Sequence, residues 1–308
     1  MECTTEGQHM SEPRRSVPGR SGLLPRVLAC VALFVVSVPA VADAPGDDEQ
    51  VWQAFVSWLE SHPESTKLQD YAGHLTESGV TEGEVERRLE LIRKLFSEEP
   101  ERGIELSFDR IFAKPLTGDP EQDVFTSTPS ELMVEAVTDL EPGRVVDVGA
   151  GQGRNAVWLA QRGWDVTAID VSGVGLAAAR DNAAAAGTSI ETVKTTYDAF
   201  DFGAGQWDLV LMILSWAPVS DPAFVARICE SLRPGGVLVF EHVLVRPDDP
   251  FPEIVHALDP GQLRACFGDL TIDYYDESVR QGDWGGPPTA IVRMVASKPA
   301  SPQGSSQL

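Results

Sequence analysis

Metal-ligating and redox-active side chains are scarce in this chain, which has four cysteines and five histidines among 308 residues. The histidines show none of the short spacings that are typical of zinc sites. Cys229 and Cys266 fall in helical patterns, so we expect two buried free thiols, although an oxidising compartment would permit a bridge. The sequence therefore predicts no structural or catalytic metal.

Basic residues are also in short supply. The chain has 24 Lys and Arg against 47 Asp and Glu, which gives a formal charge of −23 at pH 7. Nucleic acid is therefore an unfavourable partner, because its phosphates are bound through a basic surface that this composition does not provide. A small neutral or cationic ligand is compatible with the charge, and a plain solvated acidic surface is the alternative reading.

The sequence lacks an apolar run of the length that spans a membrane, about 20 residues. Residues 27–42 are apolar and uncharged, arginines precede them, and small residues from 40 to 44 offer cleavage sites. We interpret residues 1–42 as a signal peptide or an uncut N-terminal anchor, with the rest of the protein periplasmic or secreted. Membrane contact would then be confined to residues 27–42. A buried helix of a cytoplasmic protein is the competing interpretation.

Residues 43–123 are predicted to be helical. Thr81 and Glu84 match a capping box, and Thr128, followed by proline, matches another that opens the next helix. The apolar residues that recur along these predicted helices are expected to pack in a core, although some of them could cover a pocket. Residues 124–298 form the predicted α/β domain, and residues 299–308 a disordered tail.

The most informative stretch is an apolar run, residues 145–148, that leads into a glycine-dense turn. Gly149, Gly151 and Gly153 permit positive φ angles and close approach of a ligand to the backbone. A helical pattern follows, and a second strand ends at Asp170, whose carboxylate could accept hydrogen bonds from ribose hydroxyls. This order predicts a nucleotide-type cofactor pocket, with an ordinary strand-to-helix turn as the alternative.

Strands and helices alternate through the rest of the domain. Helices are predicted at 174–186, 222–232 and 260–267, and further strands at 190–193, 208–214, 237–240, 270–275 and 289–296. Strands that alternate with helices in this way form a parallel sheet with helices on both faces.

Four ordered motifs, DVGAGQGRNAVWLAQRGWDVTAIDVS, YDAFDF, WDLVLMIL and LRPGGVLVFEH, resemble class I S-adenosyl-L-methionine-dependent methyltransferases. The GQGRN form is most similar to the small-molecule branch that includes tellurite-resistance-type methyltransferases. The resemblance covers about residues 125–299. It implies a doubly wound, Rossmann-like, seven-stranded and mostly parallel sheet with an antiparallel last strand. It also implies S-adenosylmethionine as cofactor and a small-molecule methyl acceptor.

The resemblance implies a cofactor site made of Asp147, Gly149, Ala150, Gly151, Gly153, Asn155, Asp170, Val171, Asp198 and Ala199. Asp147 and the glycine turn would surround the methionine part, Asp170 would hold the ribose, and Asp198 would accept from the adenine amino group. Each carboxylate has a structural alternative as a turn cap, a helix cap or a solvated acid. The G-x-G-x-G spacing differs from the G-x-G-x-x-G spacing of NAD enzymes.

Polar and aromatic residues follow the fourth and fifth predicted strands, where open α/β sheets bind their ligands. Trp216 could shelter a sulfonium or form a wall of the acceptor site. His242 could remove a proton from the acceptor, and a hydrogen-bonded structural histidine is its alternative. Two other functions stay open: an NAD-dependent Rossmann oxidoreductase, and an exported binding module that has the methyltransferase fold without catalysis.

Overall fold

The computed structural model describes residues 47–65, 67–114, 126–244, 259–282 and 288–300. The predicted leader, the first two residues of the predicted α/β domain and most of the predicted tail lie outside these ranges. Within the described ranges, no helix combines the length and the apolar character needed to cross a membrane.

Four helices precede the α/β domain: α1 (Asp47–Ser61), α2 (Leu68–Glu77), α3 (Glu82–Glu98) and α4 (Pro100–Phe112). Aromatic side chains join the first three helices. The rings of Trp52 and Phe96 lie 5.2 Å apart between centroids, as do those of Phe55 and Tyr71. Buried aromatic rings contribute large apolar areas, so this cluster forms a core of its own. The predicted helical N-terminal region is confirmed.

The α/β domain contains β1 (Arg144–Val148), β2 (Asp165–Asp170), β3 (Glu191–Lys194), β4 (Trp207–Ile213), β5 (Leu232–Val243), β6 (Thr271–Arg280) and β7 (Thr289–Ser297). Its helices are α5 (Glu131–Val137), α6 (Arg154–Ala160), α7 (Gly173–Ala185), α8 (Pro222–Ser231) and α9 (Gln262–Cys266). The strand order is β3-β2-β1-β4-β5-β7-β6. Among the described strands, β7 runs antiparallel to both of its neighbours, β5 and β6, and the remaining pairs are parallel, as predicted.

The central strands are apolar on both faces because helices cover both faces. Val146 and Val210 pack into one core cluster, whereas Val145 and Leu209 pack into the cluster on the other side. The chain order reverses between β1 and β4, so the loops at their carboxyl ends diverge and leave a crevice. The glycine turn opens into this crevice.

Thr81 is the N-cap residue of its helix as predicted, but its predicted capping-box hydrogen bonds do not form, and the predicted cap Thr128 is wrong. The Thr81 side chain makes no capping hydrogen bond, and the Glu84 carboxylate instead binds two arginines of its own helix. Both partners in these bonds are charged, and Arg87 donates to the carboxylate through two nitrogen atoms. The next helix is capped by Ser130 and not by Thr128: the Ser130 hydroxyl accepts from the Met133 amide at 3.5 Å.

Candidate functional site

The glycine turn has a conformation and a packing that require glycine. Gly149, Gly151 and Gly153 have φ angles of 72°, 53° and 79°. A Cβ atom on Gly149 would lie 2.9 Å from the Cα of Ser215, and one on Gly151 would lie 2.7 Å from the ring of Phe112. Side chains at these positions would combine backbone strain with overlap, so the turn sits tightly between its neighbours.

Several amide groups of this turn already donate within the protein. The amides of Gly149 and Ala150 donate to the carbonyl of Ile169 at 2.9 and 3.1 Å. The amide of Gly151 donates to the carboxylate of Asp170 at 2.8 Å. A pyrophosphate is normally bound by free amides in such a turn, and these three are not free. The site therefore suits a ligand that carries no phosphate.

Asp170 has a structural role and a position on the cavity wall. Its second oxygen accepts from the Ser172 amide at 2.7 Å. Burial raises the pKa of the Asp170 carboxyl, against the effect of these amide donors. A carboxylate has about four acceptor sites, so Asp170 can bind the amides and still accept from a ligand hydroxyl.

Asp147 is a deeply buried carboxylate directly before the turn, with an exposure of 2%. Burial raises its pKa from 3.8 to about 7, opposed by the charge of Arg154 and the amide of Ala156. Its Oδ2 atom has no hydrogen-bond partner within the described residues. A buried carboxylate that has an oxygen without a hydrogen-bond partner is stabilised by a nearby cation, or it takes up a proton.

A cavity of about 410 Å³ opens beside the turn. Seven of the ten predicted cofactor residues line it: Gly149, Ala150, Gly151, Asn155, Asp170, Val171 and Asp198. Asp147, Gly153 and Ala199 do not line it. Asp147 lies beneath the turn, and a Cβ on Gly153 would lie 2.8 Å from the Cβ of Ala179, so Gly153 permits packing of α6 on α7.

Two of the lining residues make bonds that sequence patterns did not indicate. The side-chain Oδ1 atom of Asn155 accepts from the backbone amide of Ser130 at 2.9 Å and so joins the start of α6 to the start of α5. Asp198 forms an ion pair with Arg227 at 3.2 Å, and its side chain is 86% exposed, which places it at the cavity rim. Beside it, the Ala199 amide donates to the Thr196 hydroxyl at 3.3 Å.

The end of β4 forms another part of the wall. Trp216 lines the cavity and meets the ring of His242 edge to face, with centroids 4.8 Å apart. His242 itself is 1% exposed, does not line the cavity, and has its Nδ1 atom 3.1 Å from the carbonyl of Val243. The structure thus brings the two predicted catalytic residues together, with Trp216 on the wall and His242 in contact with it.

Glu241, another residue after the fifth predicted strand, points into the sheet and not into the cavity. Its Oε2 atom lies 2.5 Å from the Nε atom of Arg293, and both side chains are buried. The two residues are also register partners across β5 and β7. Glu241 therefore belongs to the interior of the sheet.

Helix α4 supplies a wall, in agreement with the expectation that some apolar residues of the helical region could cover a pocket, although the sequence did not indicate which. Ile104, Phe108 and Phe112 line the cavity at i, i+4 spacing. Asp109 holds this helix in place by accepting from the hydroxyl of Ser172 at 2.5 Å. The only sequence signal was an apolar row at helical spacing, which equally describes a residue set buried in a core.

Within the described part of the chain, no group of three or more His, Cys, Asp or Glu side chains could hold a metal ion. Cys229 and Cys266 are free thiols, and burial raises the pKa of both, to about 11 for Cys229.

Comparison with known proteins relates the turn and its sheet to a family. Residues 145–236 match the model of a methyltransferase domain. Hemagglutinin 1 of Eikenella corrodens is 29% identical over 189 residues, which are 56% of this chain and 60% of that protein. Ubiquinone biosynthesis O-methyltransferase of Pectobacterium atrosepticum is 34% identical over 102 residues, which are 32% of this chain and 42% of that protein. The chain thus spans only 42% to 60% of the length of these relatives.

A solved structure shows the same fold. N-methyltransferase NodS from Bradyrhizobium japonicum, in complex with S-adenosyl-L-homocysteine, aligns with a TM-score of 0.50 at 16% identity, over 63% of this chain and 98% of that one. The sheet order, the antiparallel β7 and the matched glycine turn agree with this likeness. Residues 145–236 therefore match a methyltransferase domain, and the α/β domain has the fold of this solved N-methyltransferase.

Proposed function

We propose that the protein transfers a methyl group from S-adenosylmethionine to a small-molecule acceptor. The observation that carries the proposal is the glycine turn, whose amides at Gly149, Ala150 and Gly151 are already bonded inside the protein. The turn thus lets a ligand lie close to the backbone, but these three amides are not available to bind a phosphate. An NAD-dependent oxidoreductase is disfavoured by the same bonds, because its cofactor carries a pyrophosphate.

The charges around the cavity support a cationic cofactor. Asp170 and Asp198 line the cavity, and the partnerless Oδ2 of Asp147 lies beneath the turn. When bound, the cofactor supplies an electrophilic methyl group on a positively charged sulfur, together with a cationic amino group. Asp170 accepts from the ribose hydroxyls in this proposal, and Asp147 stabilises the nearby positive charge through the turn.

The acceptor side of the cavity is apolar. Ile104, Phe108, Trp216 and Pro218 line it, so an acceptor with a substantial apolar surface fits best. Direct displacement at the methyl carbon depends on alignment and on exclusion of water, which rigid apolar walls provide. Trp216 orients the acceptor in this proposal. His242 remains a candidate proton acceptor that contacts Trp216 from behind the wall.

We propose further that residues 1–42 direct export or anchor the protein, which would place the enzyme outside the cytoplasm with membrane contact limited to residues 27–42. The charge of −23 supports a small acceptor over a nucleic acid. N-terminal sequencing of the protein from its native cell tests the leader: a mature chain that begins near residue 43 is expected for cleavage, and one that begins at Met1 or Met10 excludes it.

Calorimetry of the full chain with S-adenosylmethionine, S-adenosylhomocysteine and NAD tests the cofactor. We expect both methionine-derived ligands to bind and NAD not to bind. Asp170→Ala should weaken S-adenosylhomocysteine at least about tenfold, which corresponds to about 1.4 kcal/mol. Asp139→Ala, at an exposed acid that does not line the cavity, is the matched control and should bind as the wild type does.

Failure of both methionine-derived ligands to bind the wild type would refute the cofactor assignment. If Asp170→Ala does not fold, Asp170→Asn retains one acceptor oxygen and should show a smaller loss of affinity. Binding without any transfer of a labelled methyl group, across a panel of O, N and S acceptors, would favour the non-catalytic binding module.

A further inference from the structure

The side chain of Tyr197 joins two loops that come from distant strands. Tyr197 follows β3 and lines the cavity, and its hydroxyl donates to the carbonyl of Ser215, which follows β4. In the sheet, β3 and β4 are separated by β2 and β1. The bond therefore reaches across the carboxyl ends of two intervening strands, beside the glycine turn.

The residues that flank Ser215 have an unusual backbone. Leu214 and Trp216 have φ angles of 55° and 57°, and they are the non-glycine residues with positive φ in the described ranges. Such a conformation is uncommon for residues with side chains and persists where surrounding contacts hold it. Both residues line the cavity, so the segment 214–216 gives the acceptor side part of its shape.

Besides the edge-to-face contact of the Trp216 ring with His242, three contacts hold the backbone of this segment. The amide of Leu214 donates to the carbonyl of Glu241 at 2.8 Å. Ser215 presses against the turn, since a Cβ on Gly149 would lie 2.9 Å from its Cα. The hydroxyl of Tyr197 provides the third contact. It is the only one of the three that a single side-chain substitution removes without disturbing the sheet or the glycine turn.

The Tyr197 ring is itself anchored. It packs on Phe224 with ring centroids 6.0 Å apart, and Phe224 is fully buried in the core. Burial raises the pKa of the Tyr197 hydroxyl, so the group stays protonated and remains a donor at neutral pH. A fixed ring with a permanent donor is suited to holding a backbone carbonyl in place.

We propose that Tyr197 is a positioning residue of the acceptor site, which holds the strained segment 214–216 and thereby keeps the Trp216 ring in the cavity wall. The part of this proposal that concerns catalysis rests on the proposed function, the transfer of a methyl group to an acceptor. Tyr197 does not act on the reacting atoms in this scheme. It acts through the carbonyl of Ser215.

The test follows Trp216 directly by ¹⁹F NMR of the full chain labelled with 5-fluorotryptophan. Trp216→Phe identifies the resonance of Trp216 as the one that disappears. In Tyr197→Phe, which keeps the ring and removes the donor, we expect this resonance to shift and broaden while the other tryptophan resonances stay in place. The affinity for S-adenosylhomocysteine should change less than about threefold.

Tyr274→Phe is the matched control, because it removes the same hydroxyl from a residue that is 42% exposed on the edge strand β6. It should leave the Trp216 resonance unchanged. Incorporation of 4-aminophenylalanine at position 197 restores a donor and should return the resonance towards its wild-type position.

An unchanged Trp216 resonance in Tyr197→Phe would overturn the proposal. Should that variant fail to fold because of the space it leaves, 4-chlorophenylalanine at position 197 fills the space without donating, and the same comparison applies. The spectra are recorded without ligand. Lack of S-adenosylhomocysteine binding by the wild type would therefore refute the proposed function and still leave the role of Tyr197 open to this test.

Discussion

Asp147→Asn is expected to make the free protein more stable at alkaline pH, because it removes a buried charge. The wild-type carboxyl has a pKa of about 7 when folded, against an ordinary value of 3.8. The unfolded chain therefore loses the Asp147 proton at a lower pH than the folded protein does. The wild type is destabilised progressively as the pH rises from 3.8 to about 7, and the penalty is constant above that range.

The size of the penalty follows from the shift in pKa. At about 1.4 kcal/mol per unit, the rise from 3.8 to about 7 corresponds to about 4 kcal/mol at pH 8. At pH 5 the folded carboxyl is still protonated, and the penalty is about 1.7 kcal/mol. The free energy of unfolding of Asp147→Asn relative to the wild type should thus increase by about 2.5 kcal/mol between pH 5 and pH 8.

Asparagine keeps an oxygen for the Ala156 amide and adds a buried NH₂ group. An unpaired buried donor costs about 1–3 kcal/mol, but this cost does not vary with pH. The variation of the difference with pH therefore reports the charge of Asp147 together with its coupling to Asp170, since the acids that do not interact with Asp147 cancel between the two proteins. Urea denaturation of both proteins at several pH values between 5 and 8 measures it.

Asp139→Asn is the control, because Asp139 is exposed and its substitution should give a difference that is independent of pH. A constant difference between Asp147→Asn and the wild type from pH 5 to pH 8 would refute the reasoning. The same charge should favour the cationic cofactor, so the wild type should bind S-adenosylmethionine more tightly than Asp147→Asn does at pH 8. This advantage should fade as Asp147 becomes protonated below pH 7.

Three further predictions concern the walls of the site. Gly151→Ala should destabilise the protein by about 3 kcal/mol, since it combines backbone strain with overlap against Phe112. Gly187→Ala, with φ of 71° and open space around it, measures the strain alone by the same urea titration. Asp109→Ala should speed trypsin cleavage within α4, because it removes the hydrogen bond from Ser172 that holds this helix. An unchanged rate of cleavage would show that this bond does not hold the helix in place. His242→Gln should lower the melting temperature, and a pH profile of methyl transfer that stays the same would exclude general-base catalysis.

The architecture was predictable from the sequence because it depends on local periodicity. Val145 to Val148 is apolar at every position except Asp147, and only a strand covered on both faces explains such a run. The end of the edge strand β6 was not predictable in the same way. The strand extends to Arg280, five residues beyond the prediction, and the sequence missed this end because its half-exposed and charged residues show no clear alternation of apolar and polar positions. Pairing with β7, and not its own composition, forms that end of the strand.

The helix caps show the limit of short motifs. Thr81 and Thr128 have the residue types of a capping box, yet Thr81 occupies the N-cap position without a side-chain hydrogen bond, and Ser130 caps the helix predicted to begin at Thr128. Residues outside each motif take up its groups: Arg87 and Arg88 bind the carboxylate of Glu84, and the Asn155 side chain accepts from the amide of Ser130. A pattern of four residues cannot contain that information.

The type of domain and a nucleotide-type cofactor pocket were predictable from the sequence, because a glycine turn between a buried strand and a helix, with Asp170 after the next strand, is a local arrangement. Tertiary structure alone decided what surrounds that turn. Phe112 and Asp109 reach it from a helix outside the α/β domain, Tyr197 reaches across two strands, and His242 comes to lie behind Trp216. These contacts join residues far apart in the chain, and their geometry depends on how helices pack on the sheet, which residue spacing does not record.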